Sequence, residues 1–259
     1  MAEKSSEGVV NYDEAILAQV ESIQKEIADS CELVCDVEDV GVLSSEYQKD
    51  DTIYQLKIQD LKTKYAKLRR TRGDGNCFFR AFAFAYMERA ISDPSNLKQF
   101  CSVLEQNKSA LESLGYPSFT LEDFHDNFVE TIQNIENKKT DADSLIKIFR
   151  DQSSADYLVC YLRIIVSGYL QTHADFYQNF IDDGRTVVEF CKTEVEPMTK
   201  ESDHLHITAL TSTLAVNIRV QYMDRGEGGK VNFHDFPDNG EPPYIHLLYR
   251  PGHYDILYV

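Results

Sequence analysis

A turn-forming run followed directly by an apolar segment is the feature of this sequence that most constrains its fold. Residues 73–76 read Gly-Asp-Gly-Asn, and residues 78–90 consist mainly of Phe and Ala. A segment without a polar face predicts a helix that is buried on all sides. Cys77 stands between the two, so the sequence predicts a thiol at the N-terminus of a core helix.

This position favours a reactive thiol. The N-terminus of a helix carries the positive end of the helix dipole and backbone N–H groups without intrahelical partners, and both stabilise a thiolate. The same N–H groups can bind the oxyanion that forms when sulfur attacks a carbonyl carbon. Cys77 is therefore a candidate nucleophile, and an inert buried thiol is the alternative. Three further cysteines in apolar helical contexts are predicted to be inert: Cys101, Cys160 and Cys191.

The sequence Gly-His-Tyr-Asp at residues 252–255 supplies the groups that a nucleophilic cysteine needs. Residues two apart in a strand project from the same face, so Asp255 can orient the imidazole of His253. A base that is oriented by a carboxylate is the arrangement of a catalytic triad. We therefore predict that Cys77, His253 and Asp255 form a triad, with Tyr254 facing the core. A histidine with a purely structural role is the alternative.

The charge and composition exclude several function classes. The net charge is −17, from 43 acidic and 26 basic residues, and such a chain repels nucleic-acid phosphates and anionic membranes. No apolar run reaches the length of a membrane-spanning helix, and the N-terminus does not resemble a secretory signal. We predict a cytosolic protein, with the nucleus as a second location, whose six cysteines are reduced thiols.

Two pairs of potential metal ligands are incomplete. Cys31 and Cys35 are four residues apart, and His204 and His206 are two apart, but neither pair has further His or Cys residues nearby. Zinc sites need three or four such ligands. We therefore predict no metal and no cofactor, and interpret the two cysteines as spare thiols.

The first half of the chain is predicted to be mostly helical. Residues 12–30 repeat apolar positions at three- and four-residue spacing, which predicts an amphipathic helix. Residues 31–45 are interpreted as an irregular acidic connector, and residues 51–70 as a second helix. A capping-box-like sequence predicts a helix start at Thr120.

The second half adds helices and then strands. Helices are predicted over residues 157–170, opened by a capping sequence at 153–156, and over residues 186–195 and 206–214. Alternating apolar residues predict strands over 216–222, 244–249 and 254–259, the last two joined as a hairpin. The sequence thus predicts an α+β fold, in which a helical layer packs on a mainly antiparallel sheet at the C-terminal side.

Two motifs resemble a known family. Residues 74–81 (Asp-Gly-Asn-Cys-Phe-Phe-Arg-Ala) and 250–258 (Arg-Pro-Gly-His-Tyr-Asp-Ile-Leu-Tyr) are similar to the ovarian-tumour (OTU) class of deubiquitinating cysteine proteases, and within it to the otubains. Residues 151–159, 194–198 and 222–228 extend the likeness. The resemblance implies a papain-like OTU catalytic domain over residues 44–259. Residues 1–43 would be an N-terminal arm, a disordered tail plus an amphipathic helix, as in the longer otubain paralogue.

The resemblance implies a chemical role for each candidate. Cys77 would be the nucleophile, His253 the general base and acid, Asp255 its orienter, and Asp74 a residue that shapes the oxyanion-hole loop. The substrates would be ubiquitin conjugates, cut at the isopeptide bond through a ubiquitin thioester, with a preference for the lysine linkage that signals proteasomal degradation. An acidic groove suits the basic tail of ubiquitin, in agreement with the net charge.

The resemblance also implies binding sites. One ubiquitin would contact surface positions in the second half of the chain, and a second ubiquitin would contact the arm. Ubiquitin-conjugating enzymes would bind the arm and a face near Thr120 and be inhibited without the catalytic thiol. The implied ubiquitin contacts are Phe176, Tyr177, Phe180, Glu201, His204 and Asp224, and, on the arm, Ile16, Val20 and Ile23.

Several alternatives stay open at this point. Each binding position could be ordinary surface, and the arm helix could pack on its own domain. The protein could be mainly an inhibitor that binds ubiquitin and conjugating enzymes and has weak catalysis. It could also be a papain-like hydrolase of another acyl substrate. We predict a monomer.

Overall fold

A six-stranded sheet organises the part of the chain that the structure describes, residues 12–181, 183–226 and 228–259 of a computed structural model. The strand order is β1-β2-β6-β5-β3-β4, and every neighbouring pair is antiparallel except β3 and β5. The predicted α+β class with a mainly antiparallel sheet is confirmed. The strands are β1 (Val34–Asp39), β2 (Lys67–Thr71), β3 (Ile218–Tyr222), β4 (Asn232–Phe236), β5 (Ile245–Arg250) and β6 (His253–Tyr258).

Helices supply most of the remaining structure. None of those within the described ranges is long and apolar enough to cross a membrane. Short 3-10 helices cover Val40–Ser45, Pro94–Asn96 and Gln178–Phe180, and a π-helical turn covers Cys191–Val195. The α-helices are α1 (Tyr12–Ser30), α2 (Thr52–Lys62), α3 (Cys77–Ser92), α4 (Leu97–Ser113), α5 (Ser118–Glu136), α6 (Ala142–Arg150), α7 (Gln152–Thr172), α8 (Ala174–Tyr177), α9 (Val187–Phe190) and α10 (His204–Leu214).

The central helix is α3, as the apolar run predicts. It packs against β6 on one side and against α5, α6 and α7 on the others. Alanine favours the helix, and the large aromatic side chains fill the space around it. Twelve of its sixteen residues are buried, including Phe78, Phe79, Phe82 and Phe84. The helix therefore fixes the position of its first residue, Cys77, within the core.

The sheet separates two apolar clusters. Ile256 of β6 belongs to the large cluster around α3, whereas its neighbour Leu257 belongs to a smaller one. Successive side chains of a strand face opposite sides, so the two clusters lie on opposite faces of the sheet. The smaller cluster is formed by Leu43, residues of α2 and buried residues of β2, β5 and β6.

Two N-terminal predictions are wrong. The helix predicted over residues 51–70 ends at Lys62, and Lys67–Thr71 forms β2 between β1 and β6. The connector predicted as irregular contains β1, an edge strand whose last four residues are exposed. Both strands form because distant partners complete their hydrogen bonds, which local periodicity does not report. Residues 34–39 of the predicted arm are thus part of the sheet.

Helix starts also differ from the predicted ones. Helix α5 begins at Ser118 after Pro117, so Thr120 lies inside it. Helix α7 begins at Gln152, because the Asp151 carboxylate caps the helix by accepting from the Ser154 amide. Helix α10 likewise starts earlier, at His204. Strand β4 is the remaining strand that the sequence did not indicate, since its residues are largely polar and exposed.

The burial of Leu43 generates the first testable prediction. Leu43 is 0% exposed, so Leu43→Ala should lower the free energy of unfolding by about 2–5 kcal/mol. Urea unfolding measures this change. Val37→Ala is the control in the same segment; its side chain is 37% exposed, and about 0.5 kcal/mol or less is expected. Equal stability of Leu43→Ala and the parent would show that this segment lies outside the cooperative fold.

Candidate active site

Cys77 is the first residue of α3, and a tight turn delivers it there. Gly75 has a φ of +79°, and a methyl group on it would come within 2.1 Å of the Thr199 carbonyl oxygen. Only glycine accommodates both constraints. The Asp74 carboxylate accepts from the Asn76 amide at 3.0 Å and from two nitrogens of Arg80 at 3.0 and 2.6 Å. Asp74 thus holds the turn in shape and is itself occupied by these donors.

A buried arginine connects this turn to a distant loop. The Arg163 guanidinium donates to the Gly75 carbonyl at 3.0 Å and to the Asn76 side-chain oxygen at 2.8 Å. It also donates to the carbonyls of Val195 and Lys200 at 2.9 and 2.7 Å. Burial lowers the pKa of Arg163 to about 10, so the group is still charged at neutral pH. This charge organises the loop that lies over the Cys77 turn.

His253 and Asp255 lie on β6 and face each other as predicted. The His253 Nε2 atom is 2.9 Å from Asp255 Oδ1. Asp255 is 0% exposed, and it also accepts from the Thr71 amide at 3.1 Å and from Arg250 at 2.5 Å. A buried carboxylate is stable only when such donors surround it. Tyr254 points the other way and packs against Phe78, with ring centroids 5.3 Å apart.

The electrostatics of the site stabilise an imidazolium. Burial opposes the charged form of His253, but hydrogen bonds with Asp255 and Cys77 and the charges of both groups outweigh it, raising the pKa to about 10. Burial also opposes the Asp255 carboxylate, yet His253, Arg250 and the Thr71 amide lower the pKa of that group. The structure therefore brings Cys77, His253 and Asp255 together, with the thiol facing a positively charged ring.

Two of the predicted ubiquitin contacts form an exposed aromatic pair. Phe176 and Phe180 are 61% and 54% exposed, and their ring centroids are 5.3 Å apart. Tyr177 is buried between them and Tyr169. The Tyr177 side chain therefore packs on the buried side of the pair and does not form part of the accessible surface.

Three further predicted ubiquitin contacts are exposed or half exposed. Glu201 is exposed, and its carboxylate lies over Gly252, where a methyl group would come within 3.3 Å of it. His204 is exposed and stacks on Tyr222, with ring centroids 5.8 Å apart. Asp224 is half exposed, because one of its carboxylate oxygens accepts from the buried Lys57 at 2.9 Å. Asp224 thus also fixes the start of its own loop.

The arm and conjugating-enzyme positions are separate from the triad. Ile16 and Ile23 are 59% and 48% exposed on α1. Val20 is on the same helix, but its side chain lies outside the described part of the structure. Thr120 is exposed on α5, beside Phe119, which is 85% exposed.

One of the histidines considered as a metal ligand has a structural role. Within residues 12–181, 183–226 and 228–259, no three His, Cys, Asp or Glu side chains are grouped as a metal site. His206, one of the histidines considered as a ligand, is buried and bonded to Asp203 at 2.8 Å, where it helps to cap α10.

Four residues of the site were not predicted: Asn76, Arg163, Thr71 and Arg250. A lone arginine in the apolar run 157–170 was the available signal for Arg163, since a buried charge needs partners. Arg250 precedes the hairpin turn, and the sequence does not show that its guanidinium folds back onto Asp255. Thr71 contributes its backbone amide. Every residue except proline has this group, so the residue type does not indicate the contact.

The fold and this arrangement define a cysteine-type hydrolase, with a thiol at the start of a core helix and a histidine–carboxylate pair on the adjacent sheet. The sequence profile described as Peptidase C65 Otubain matches residues 26–259. The chain therefore belongs to the otubain family of the OTU class, a family of cysteine-type deubiquitinating hydrolases.

Individual relatives support the assignment. The human protein named ubiquitin thioesterase OTUB1 is 53% identical over 255 residues, which cover 98% of this chain and 93% of the relative. An Arabidopsis thaliana OTU-domain deubiquitinating enzyme is 42% identical, covering 92% and 84%. A solved structure of h/ceOTUB1 with ubiquitin aldehyde and UBCH5B~Ub is 37% identical, with a TM-score of 0.91, covering 95% of this chain and 98% of that one.

The electrostatics of the site predict opposite titrations for two histidines. His253 should remain protonated until about pH 10, whereas burial and the nearby charges of Arg219 and Arg89 lower the pKa of His246 to about 4. NMR of protein with ¹³C-labelled histidine measures both. Because the folded state binds the His253 proton more tightly, its contribution to stability is present at neutral pH and lost toward pH 10. Titration of His253 near 6.5, the ordinary pKa of a histidine, would contradict the predicted upward shift of its pKa.

Proposed function

We propose that Cys77, His253 and Asp255 catalyse hydrolysis of isopeptide bonds in ubiquitin conjugates. The observation that carries the proposal is the position of the Cys77 thiol, at the N-terminus of α3 and facing an imidazole that a buried carboxylate orients. A thiolate beside an imidazolium is the reactive state of a cysteine nucleophile. The contacts that hold Asp255 and the turn before Cys77 support this assignment.

The geometry assigns a task to each group. The Cys77 thiolate attacks the carbonyl carbon of the isopeptide bond, and backbone N–H groups of the first turn of α3 bind the resulting oxyanion. His253 then donates its proton to the departing lysine amine, which leaves a thioester between Cys77 and the acyl group. In the second half-reaction His253 takes a proton from water, and hydrolysis of the thioester restores the thiol. Asp255 keeps the imidazole in the required orientation throughout, while Asp74 shapes the turn that presents these amides.

The relatives and the surface support the proposed substrate class. Relatives that cover most of the chain are named ubiquitin thioesterases, and a structural neighbour holds ubiquitin aldehyde. Phe176 and Phe180 offer an exposed apolar patch of the kind that protein partners cover. Glu201 beside Gly252 adds negative charge close to His253, which suits a basic peptide tail. We include in the proposal a preference for the lysine linkage that signals proteasomal degradation.

Cys77→Ser tests the nucleophile and the linkage preference together. In a panel of diubiquitins that covers the different lysine linkages, the parent should cleave the degradation-signalling linkage fastest. Cys77→Ser should lower that rate by at least about a thousandfold, because an alcohol at this position is not ionised. Cys101→Ser on α4 is the control and should cleave like the parent. Cleavage by Cys77→Ser at the parent rate would show that Cys77 is not the nucleophile.

A second function is favoured by the neighbours and by α1. Two similar structures contain a conjugating enzyme charged with ubiquitin, UBCH5B~Ub or UBC13~Ub, together with OTUB1. In this chain, Ile16 and Ile23 are both exposed on α1. They are seven residues apart, about two helical turns, so they lie on the same face, as in a helix that binds a partner through one apolar face. We propose that α1 and the face around Thr120 bind ubiquitin-charged conjugating enzymes, and that α1 also contacts the second ubiquitin of a chain.

The arm is best tested by removing residues 1–30, because a longer deletion would take β1 out of the sheet. The deletion should lower the rate of diubiquitin cleavage about tenfold or more and relieve inhibition of a conjugating enzyme. It should leave hydrolysis of a single ubiquitin carrying a fluorogenic leaving group unchanged, since the triad stays intact. The single substitution Ile23→Asp in the full chain should likewise slow diubiquitin cleavage and relieve inhibition of the conjugating enzyme. If chain cleavage and inhibition both persist, α1 has neither role.

A further inference from the structure

A pair of thiols outside the catalytic site lies at contact distance. The Sγ atoms of Cys31 and Cys35 are 3.1 Å apart, and both side chains are half exposed. Both thiols also lie against the Glu32 carbonyl oxygen, at 3.2 and 3.8 Å, so they fold over the same peptide group. A disulfide has a sulfur–sulfur distance of about 2.05 Å. A shift of about 1 Å would therefore be enough to join them.

The pair spans the connection between the arm helix and the sheet, here called the hinge, since Cys31 directly follows α1 and Cys35 is the second residue of β1. Helix α1 ends at Ser30, and β1 begins at Val34. Two arginines fasten this hinge to β2 and to the residue after it. Arg72 donates to the Cys31 carbonyl at 2.8 Å, and Arg69 donates to the Cys35 carbonyl at 2.7 Å. Arg72 directly precedes the turn that presents Cys77, so the hinge is attached to the start of that turn.

We propose that Cys31 and Cys35 form a reversible intramolecular disulfide when the protein meets a peroxide, and that this bond stiffens the hinge of α1. The inference rests on the geometry of the pair and of the hinge, and it does not depend on the proposed function. The oxidant is hydrogen peroxide or an organic hydroperoxide, and a dithiol or a reduced low-molecular-weight thiol reverses the reaction.

The chemistry balances with one peroxide per pair. One thiol, as thiolate, attacks a peroxide oxygen; the O–O bond breaks and sulfur is oxidised to a sulfenic acid. The other oxygen leaves after protonation as water from hydrogen peroxide, or as an alcohol from an organic hydroperoxide. The second sulfur then attacks the sulfenic sulfur, the S–S bond forms, and the sulfenic oxygen leaves as a second water. Two thiols and one hydrogen peroxide thus give one disulfide and two water molecules.

The surroundings assign the order of events. Burial, followed by the hydrogen bond and charge of Cys31, raises the pKa of Cys35 to about 12. The burial of Cys35 thus favours Cys31 as the thiol that reacts first with the peroxide. Cys35 then resolves the sulfenic acid, because its sulfur already lies beside that of Cys31. The resulting ring contains only residues 31–35, so it restricts the hinge without joining distant parts of the fold.

Mass spectrometry of the full chain tests the disulfide. We would use the Cys77→Ser background, so that the catalytic thiol does not consume peroxide, and block free thiols with N-ethylmaleimide before tryptic digestion. The peptide of residues 26–49 contains both cysteines and no internal Lys or Arg. After limiting hydrogen peroxide it should carry no maleimide and be two hydrogen atoms lighter than the dithiol peptide. Dithiothreitol should restore both labelling sites.

Cysteine variants and amide hydrogen exchange in the hinge complete the test. Cys35→Ser should leave Cys31 as a sulfenic acid that dimedone traps, whereas Cys101→Ser should form the 31–35 bond like the parent. Hydrogen exchange of amides 28–36 should slow in the oxidised protein. Three results would overturn the inference: full labelling of both cysteines after peroxide, sulfinic or intermolecular products in place of the internal bond, or equal hinge exchange in the two redox forms.

Discussion

The buried carboxylate of Asp255 is the group on which the rest of the site depends. Taking a charge out of water costs several kcal/mol unless donors replace the lost hydration. Here the donors come from three strands: the Thr71 amide at the end of β2, Arg250 of β5 and His253 of β6 itself. A shift of one residue in the pairing of β6 would turn Asp255 to the opposite face of the sheet. The register of the sheet therefore also determines the orientation of the His253 imidazole.

The other half of the site depends on a second buried charge. Arg163 on α7 joins the turn at Gly75 and Asn76 to the carbonyls of Val195 and Lys200, while the Asn76 side chain also accepts from the Thr199 amide. Because Gly75 has no side chain, Thr199 can lie directly against it. Cys77 is thus positioned by contacts between three segments that are far apart in sequence. Asp255 orients His253, Arg163 fixes the turn before Cys77, and the packing of Phe78 against Tyr254 joins the two halves.

These two networks also explain what the sequence could predict and what it could not. The buried helix at residues 78–90 and the His-x-Asp pair are local patterns, since composition and a two-residue spacing define them. Strands β1, β2 and β4 exist because partners elsewhere in the chain pair with them, and the polar sequence Asn232–Phe236 has no periodicity that indicates a strand. The donors to Asp255 and the acceptors around Arg163 are long-range contacts. For Arg163 the sequence still held a clue, a charge in an apolar helix, whereas for the Thr71 amide it held none.

The segment around Leu43 and Glu46 is joined to β6 more closely than the prediction of a separate arm over residues 1–43 suggests. Leu43 fills the smaller cluster, and three residues later the Glu46 carboxylate bridges Arg70 and Arg250 at 2.5 and 2.6 Å. Arg250 in turn donates to Asp255, which orients His253. A contiguous series of charged hydrogen bonds therefore runs from Glu46, three residues beyond the segment predicted as an arm, to His253. Because Asp255 is buried and Glu46 is held by two arginines, a change at Glu46 would act on the imidazole through Arg250 and Asp255. Helix α1 is tied to the start of the Cys77 turn near its own C-terminal end, where Arg72 donates to the Ala28 carbonyl at 3.3 Å.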